Sequence, residues 1–170
     1  MDEVIEAGDD RTGPSNGVLS VPSPYSAWLG RLLTDSFKTA TGSSLAPDSM
    51  ASKEVAFWLY EAPFCLLVQD AGADPCFAYA NLAAQRLFGY SWQEFSGMAS
   101  RLSADADDRE QRQEFMDSVR TRGHVSGYRG KRISKTGEHF WIEDTTVWNL
   151  AAANGTLYGQ AALFNRWSKA

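Results

Sequence analysis

Arginine, tyrosine and acidic side chains recur at short intervals in the last third of this chain, and they are the groups best suited to grip a ligand. Arg132 could hold an anion or a carbonyl oxygen, because a guanidinium presents a rigid fork of donors. Tyr128 and Trp148 would flank it, Glu143 would face it, and Phe88, Trp92 and Gln160 complete the candidate ligand-binding set. The same residues also suit a structural ion pair on a sheet face, with Glu143 neutralising Arg132. A second cluster, Arg101, Asp105, Arg109, Glu110 and Arg112, could close over a pocket mouth or carry a signal. Its spacing fits a solvated helix face with i,i+3 and i,i+4 pairs better.

Catalytic patterns are lacking, and no enzyme activity is expected. His124 and His139 have no serine or cysteine nucleophile motif beside them. No glycine-rich phosphate loop and no Cys/His metal spacing occurs. The adjacent carboxylates Asp107-Asp108 and Glu143-Asp144 include one pair on a predicted strand, where neighbours point to opposite faces. Cys65 and Cys76 fall about four residues apart along a predicted ladder, roughly 13 Å. A disulfide needs less than about 7 Å between Cα atoms. Two free thiols and a reducing, cytoplasmic location are therefore expected.

The elements that must position these groups begin around 81–97, NLAAQRLFGYSWQEFSG. Asn81 suits an N-cap. Ala83, Ala84, Leu87 and Phe88 follow at helical spacing, and Gly89 can end that helix. Ser91 and Glu94 make a capping box for a second short helix. The preceding FCLLVQDAGADPCFAYA reads as a strand hairpin. Ser23-Pro24 predicts the start of an earlier helix over 24–41, with an apolar stripe of Tyr25, Trp28, Leu29, Leu32, Leu33 and Phe37. A second helix is predicted over 52–61 and a long polar one over 103–123, with Phe115, Met116 and Val119 as its narrow apolar stripe. Three strands follow, at 125–134, 139–150 and 156–167, with Asn154-Gly155 a strong hairpin signal.

A hairpin centred on Thr136-Gly137 sets Ile133 opposite Phe140, Arg132 opposite Trp141, Gly130 opposite Glu143 and Tyr128 opposite Thr145. Arg132 is then diagonal to Glu143, within reach of a long side chain. Strict alternation groups Phe140, Ile142 and Trp148 on one face, Trp141 and Val147 on the other. A sheet apolar on both faces needs cover on both.

Asn81, the Leu-Phe-Gly-Tyr of 87–90, Ser91, Glu94 and Gly97, in this order, resemble the PAS domain family. SRLSAD (100–105), YRGKRIS (128–134), HFWIEDTTVWNL (139–150) and GQAALF (159–164) are similar to the MEKHLA branch of that superfamily. The likeness spans about residues 57–164. It implies an α+β fold: a PAS-like five-stranded antiparallel sheet with helices on one face and an N-terminal helical extension. The division expected is an acidic disordered tail at 1–22, the extension at 23–62 and the PAS-like domain at 63–167. Light sensors of the superfamily carry a reactive cysteine where SRLSAD has none, which disfavours covalent flavin photochemistry. Haem-binding relatives use a histidine on the long helix; none lies between 107 and 122, although His124 is just beyond. No cofactor is expected.

The chain has 170 residues and a net charge of −5. Asp2, Glu3, Glu6, Asp9 and Asp10 against Arg11 place −4 of this in the first 22 residues. The nearly neutral remainder offers no basic face for a phosphate backbone, so autonomous nucleic-acid binding is not expected. No run reaches the roughly 20 apolar residues of a membrane helix. The function these features imply is a sensory or regulatory module that binds a small, mostly apolar ligand and signals through protein association. The alternative is a ligand-free dimerisation or docking module, its interior filled by side chains such as Phe88, Trp92 and Trp148. Trp28, Leu29, Leu32 and Phe37 are the candidate interface, either on the sheet's outer face or on a second subunit, with a homodimer favoured.

Overall fold

The computed structural model describes residues 19–105 and 108–170. Helix α1 (Ala27–Thr41) starts at Ser26, whose hydroxyl accepts from the Leu29 N–H. The predicted start at Ser23-Pro24 is a turn instead, with Ser23 accepting from the Tyr25 N–H. Proline suits a turn as well as a first helical position, so the dipeptide does not separate the two. Tyr25 thereby leaves the stripe and stacks on Phe57, ring centroids 4.2 Å apart. Helix α2 (Ser52–Glu61) has its predicted bounds.

Strands β1 (Cys65–Asp70) and β2 (Phe77–Ala80) form the first hairpin. Helices α3 (Leu82–Phe88) and α4 (Trp92–Phe95) follow, capped by Asn81 and by the Ser91–Glu94 capping box. The long polar helix starts later than its pattern predicts. A 3-10 turn, Ser100–Ser103, comes first, and α5 (Arg109–Arg122) after it. The Ser103 hydroxyl donates back to the Ser100 carbonyl at 2.7 Å rather than capping α5, the local bonding by which serine competes with helix initiation.

The chain ends in β3 (His124–Ile133), β4 (His139–Ala151), β5 (Leu157–Phe164) and β6 (Arg166–Lys169). The sheet is antiparallel with order β2-β1-β5-β4-β3, and β6 also pairs with β4. β5 and β6 keep one register along β4, Leu163 opposite Thr146 and Arg166 opposite Glu143. The predicted single strand is therefore continuous in pairing but interrupted at Asn165, which makes six strands of the expected five.

Two departures from ideal strands set which side chains meet. In the β3–β4 loop Ser134 N–H donates to the Glu138 carbonyl, which leaves three residues between that closing pair, and Gly137 sits at φ +86°. That loop moves the register by one residue, so Arg132 faces Phe140 and Ile133 faces His139. A shift between Tyr128 and Gly130 then restores Tyr128 opposite Thr145. In β4, Asp144 takes φ +49°, a bulge that reverses the alternation of faces. Phe140, Ile142 and Val147 consequently lie under α3–α5, and Trp148 lies on the other side with α1.

Both faces are covered, as an apolar two-sided sheet requires. On one, α3 and α4 bury Phe88 and Phe95 against Phe140, Ile142 and Phe164, and α5 buries Met116 and Val119 against Val147. On the other, α1 and α2 bury Leu29, Leu33 and Leu59 against Leu66, Trp148 and Leu150. The Trp148 indole N–H donates to the Ser36 hydroxyl at 3.0 Å, and Trp28 meets Tyr158 edge to face at 5.2 Å. Leu29, Leu32 and Phe37 are buried. These interface candidates are thus covered by their own chain rather than presented to a second subunit. Leu19 and Val21, within the stretch expected as a tail, join the same core. Residues 1–18, the rest of that tail, fall outside the described residues.

Candidate functional site

Between the sheet and α5 lies a cavity of about 40 Å³. Its walls are mostly apolar, with Leu67, Phe77, Phe88, Met116, Ile142 and Phe164 among them, and its polar groups are Gln69, Ser103, Arg112, Arg132 and Gln160. Space of this size holds about three waters or a molecule of about four heavy atoms.

A ladder of side-chain hydrogen bonds fixes the polar wall. Gln69 Nε2 donates to Gln160 Oε1 at 3.1 Å, and Gln160 Nε2 donates to the Met116 carbonyl at 3.0 Å. Arg112 Nη2 donates to Gln69 Oε1 at 3.0 Å and to Ser100 Oγ at 3.1 Å. Arg112 Nε is buried with no partner among the described residues. Burial first, and then the neighbouring Arg132 charge, lower the Arg112 pKa to about 10, with Tyr128 opposing the fall.

Arg132 reaches the cavity from β3. Its Nη1 donates to the Lys131 carbonyl at 2.8 Å, and its Nη2 to the Tyr128 hydroxyl at 3.4 Å. Tyr128 is itself held by stacking on Phe115, centroids 3.8 Å apart. Gly130 sits between them on the same face. A Cβ there would lie 2.4 Å from the Tyr128 hydroxyl and 2.8 Å from Arg132 Nη1. Glycine leaves the room in which the two tips meet.

Of the candidate ligand-binding residues, Phe88, Arg132 and Gln160 line the cavity, and Tyr128 braces Arg132. The other three do not line it. Glu143 pairs with Arg129 at 3.3 Å and accepts from Ser168, because the one-residue register change moves it away from Arg132. Trp92 packs on Tyr79 and Tyr60, and Trp148 is on the far side of the bulged strand. Arg112, Gln69, Ser103 and Met116 were not anticipated. Arg112 had a legible signal: with Met116 and Val119 it continues the apolar stripe of α5 at i, i+4 and i+7.

The second charged cluster disperses. Arg101 pairs with Asp74 at 3.2 Å, Arg109 donates to the Arg101 carbonyl, and Asp105 meets His139 Nε2 at 2.7 Å. Arg112 alone turns inward. Among the described residues no group of three or more His, Cys, Asp or Glu could hold a metal, and no helix is long and apolar enough to cross a membrane. Cys65 and Cys76 are both free.

A twisted antiparallel sheet whose second strand runs into short capped helices, with a cavity between the sheet and the long helix, is a PAS-like fold. Solved structures bear this out. The PAS domain of a protein from Colwellia psychrerythraea superposes with a TM-score of 0.59 at 19% identity, covering 69% of this chain and 95% of that one. An RNA-binding light-oxygen-voltage receptor superposes at 0.57 and 20% identity, covering 75% of this chain and 35% of that one. Within that class the chain belongs to the MEKHLA domain family, which it matches over residues 27–169. The match takes in α1 and α2, the helices expected as an extension. No curated protein matches the chain.

Proposed function

We propose that this domain is a small-molecule sensory module whose ligand occupies the cavity between the sheet and α5. One observation carries the reading: an apolar chamber with a few convergent, hydrogen-bonded polar side chains, the usual make-up of a ligand site. Its size sets the ligand class, since a drug-sized ligand needs roughly 300 Å³ or more. Flavin and haem are too large for this chamber, and neither cysteine lines it. Catalysis is not part of the reading, because no nucleophile–base pair reaches the cavity. Nor is nucleic-acid binding, given a net charge of −5.

The signal leaves by association with another protein, in a reducing cytoplasmic compartment consistent with two free thiols. The stripe of α1 is engaged inside the chain, so association uses other surface. Native mass spectrometry of the purified full chain tests the proposal, reporting bound ligand and subunit count together. A retained molecule of low mass is expected. A protein that stays empty and binds nothing from a library of small metabolites would leave the docking-module alternative standing.

A further inference from the structure

We propose that the ligand of this cavity is a small carboxylate, held by Arg112 and Arg132 with its short apolar body against Met116, Ile142 and Phe164. The inference rests on the sensory reading above and names the chemistry of its ligand. Two arginines line one cavity, and each is more than nine-tenths buried, Arg112 at 7% and Arg132 at 6% exposure. Buried charges are normally paired. Here no carboxylate lines the cavity among the described residues. Glu143, the acid expected beside Arg132, is engaged by Arg129. The hydrogen bonds that hold Arg112 come from neutral groups, Gln69 and Ser100. What Arg112 feels instead is the like charge of Arg132.

An anion in the chamber would answer all three features at once. It neutralises two positive charges, accepts from the unpartnered Arg112 Nε, and suits guanidinium forks that match planar oxyanions. The rest of the wall decides which anion. Apolar side chains surround the arginines, and the space admits about four heavy atoms. An acid with an alkyl body of one or two carbons fits that shape, whereas a tetrahedral dianion would set its outer oxygens against hydrocarbon.

The full chain is titrated with propionate and with propionamide, its neutral near-isostere, at constant chloride. Calorimetry and the melting temperature are read for both. Propionate is expected to bind at least about tenfold more tightly than the amide and to raise the melting temperature. Arg112→Met and Arg132→Met are each expected to remove the difference. If a variant fails to fold, the wild-type acid–amide comparison decides, together with the shift of carboxyl-labelled propionate in the carbon-13 spectrum. Equal binding of acid and amide overturns the anion assignment and leaves the sensory reading intact. So does failure of both probes on a protein that still retains a ligand in native mass spectrometry. An empty protein that binds neither overturns both. Phosphate binding with the same arginine dependence, and no propionate binding, replaces the carboxylate with an inorganic oxyanion and overturns the proposal as stated.

Discussion

Asn81 is more than the helix cap its position suggested. It is fully buried, and its amide joins three elements. Oδ1 accepts from the Leu66 and Ala84 N–H groups, and Nδ2 donates to the Leu59 and Phe64 carbonyls. Asn81→Ala should cost about 3 kcal/mol in urea denaturation, above the ~1 kcal/mol of a cap alone, because buried backbone groups lose their partners. Asn81→Asp separates the roles. It keeps the cap but sets a carboxylate against two carbonyls, so it should also destabilise; a neutral outcome would reduce Asn81 to a cap. The thiols offer a second test. Burial pushes the Cys65 pKa up to about 12, leaving on the order of one part in ten thousand as thiolate at pH 8. Cys76 is also raised, by desolvation first and then by Asp70 and Asp74, with Arg101 opposing. Ellman's reagent should modify Cys76 slowly and Cys65 only after unfolding. The caps were legible because capping is local: a side chain, a backbone N–H and a spacing of three. The cavity was legible only in part, because Arg112 reads as one more charge in a polar helix until its partners are known.

Among elements, the helices and strand order follow from periodicity, and the pairing of strands does not. One residue in the β3–β4 loop decided whether Arg132 faced Trp141 or Phe140, and a slip of one changes every contact on a face. A φ of +49° at Asp144 leaves no mark in the hydrophobic pattern beyond two apolar parities in one strand. Two glycines test the sheet differently. At Gly159 a Cβ would lie 1.9 Å from the Gln69 carbonyl oxygen. Backbone cannot yield there, so Gly159→Ala should part β1 from β5 and give insoluble protein. At Gly130 the obstructing atoms are the tips of Tyr128 and Arg132. Gly130→Ala should keep the circular dichroism spectrum and lower ligand retention in native mass spectrometry.

At the scale of the whole molecule, the sheet separates two cores, and Leu82 of α3 and Trp92 of α4 also reach the one that α1 and α2 close. α1 is the lid of one, and Ser36 ties it to the sheet through Trp148. Ser36→Ala should destabilise the chain by about 1–3 kcal/mol, since the indole N–H is left buried without an acceptor. Removing residues 1–22 takes away Leu19 and Val21, which are buried, and should lower the melting temperature by a few degrees. Removing 1–42 uncovers Trp148 and Leu150 and should cause aggregation. A soluble, equally stable product of the longer deletion would mean that α1 does not close this core.

The bulge at Asp144 makes β4 resemble a text with a shifted reading frame. Up to Ile142 the even-numbered letters face the cavity, and by Val147 the odd ones do. Deleting that one residue would restore a single frame and leave the later letters where they are: Thr145 and Val147 would follow Ile142 in regular alternation, and Trp148 would stay beneath α1. A loss of one residue between Thr145 and Val147 has no such slack. It would carry the Trp148 indole towards the chamber and put Val147 under α1, exchanging the contents of the two cores. Homologous chains should tolerate loss of the bulge residue far better than a change of one beyond it.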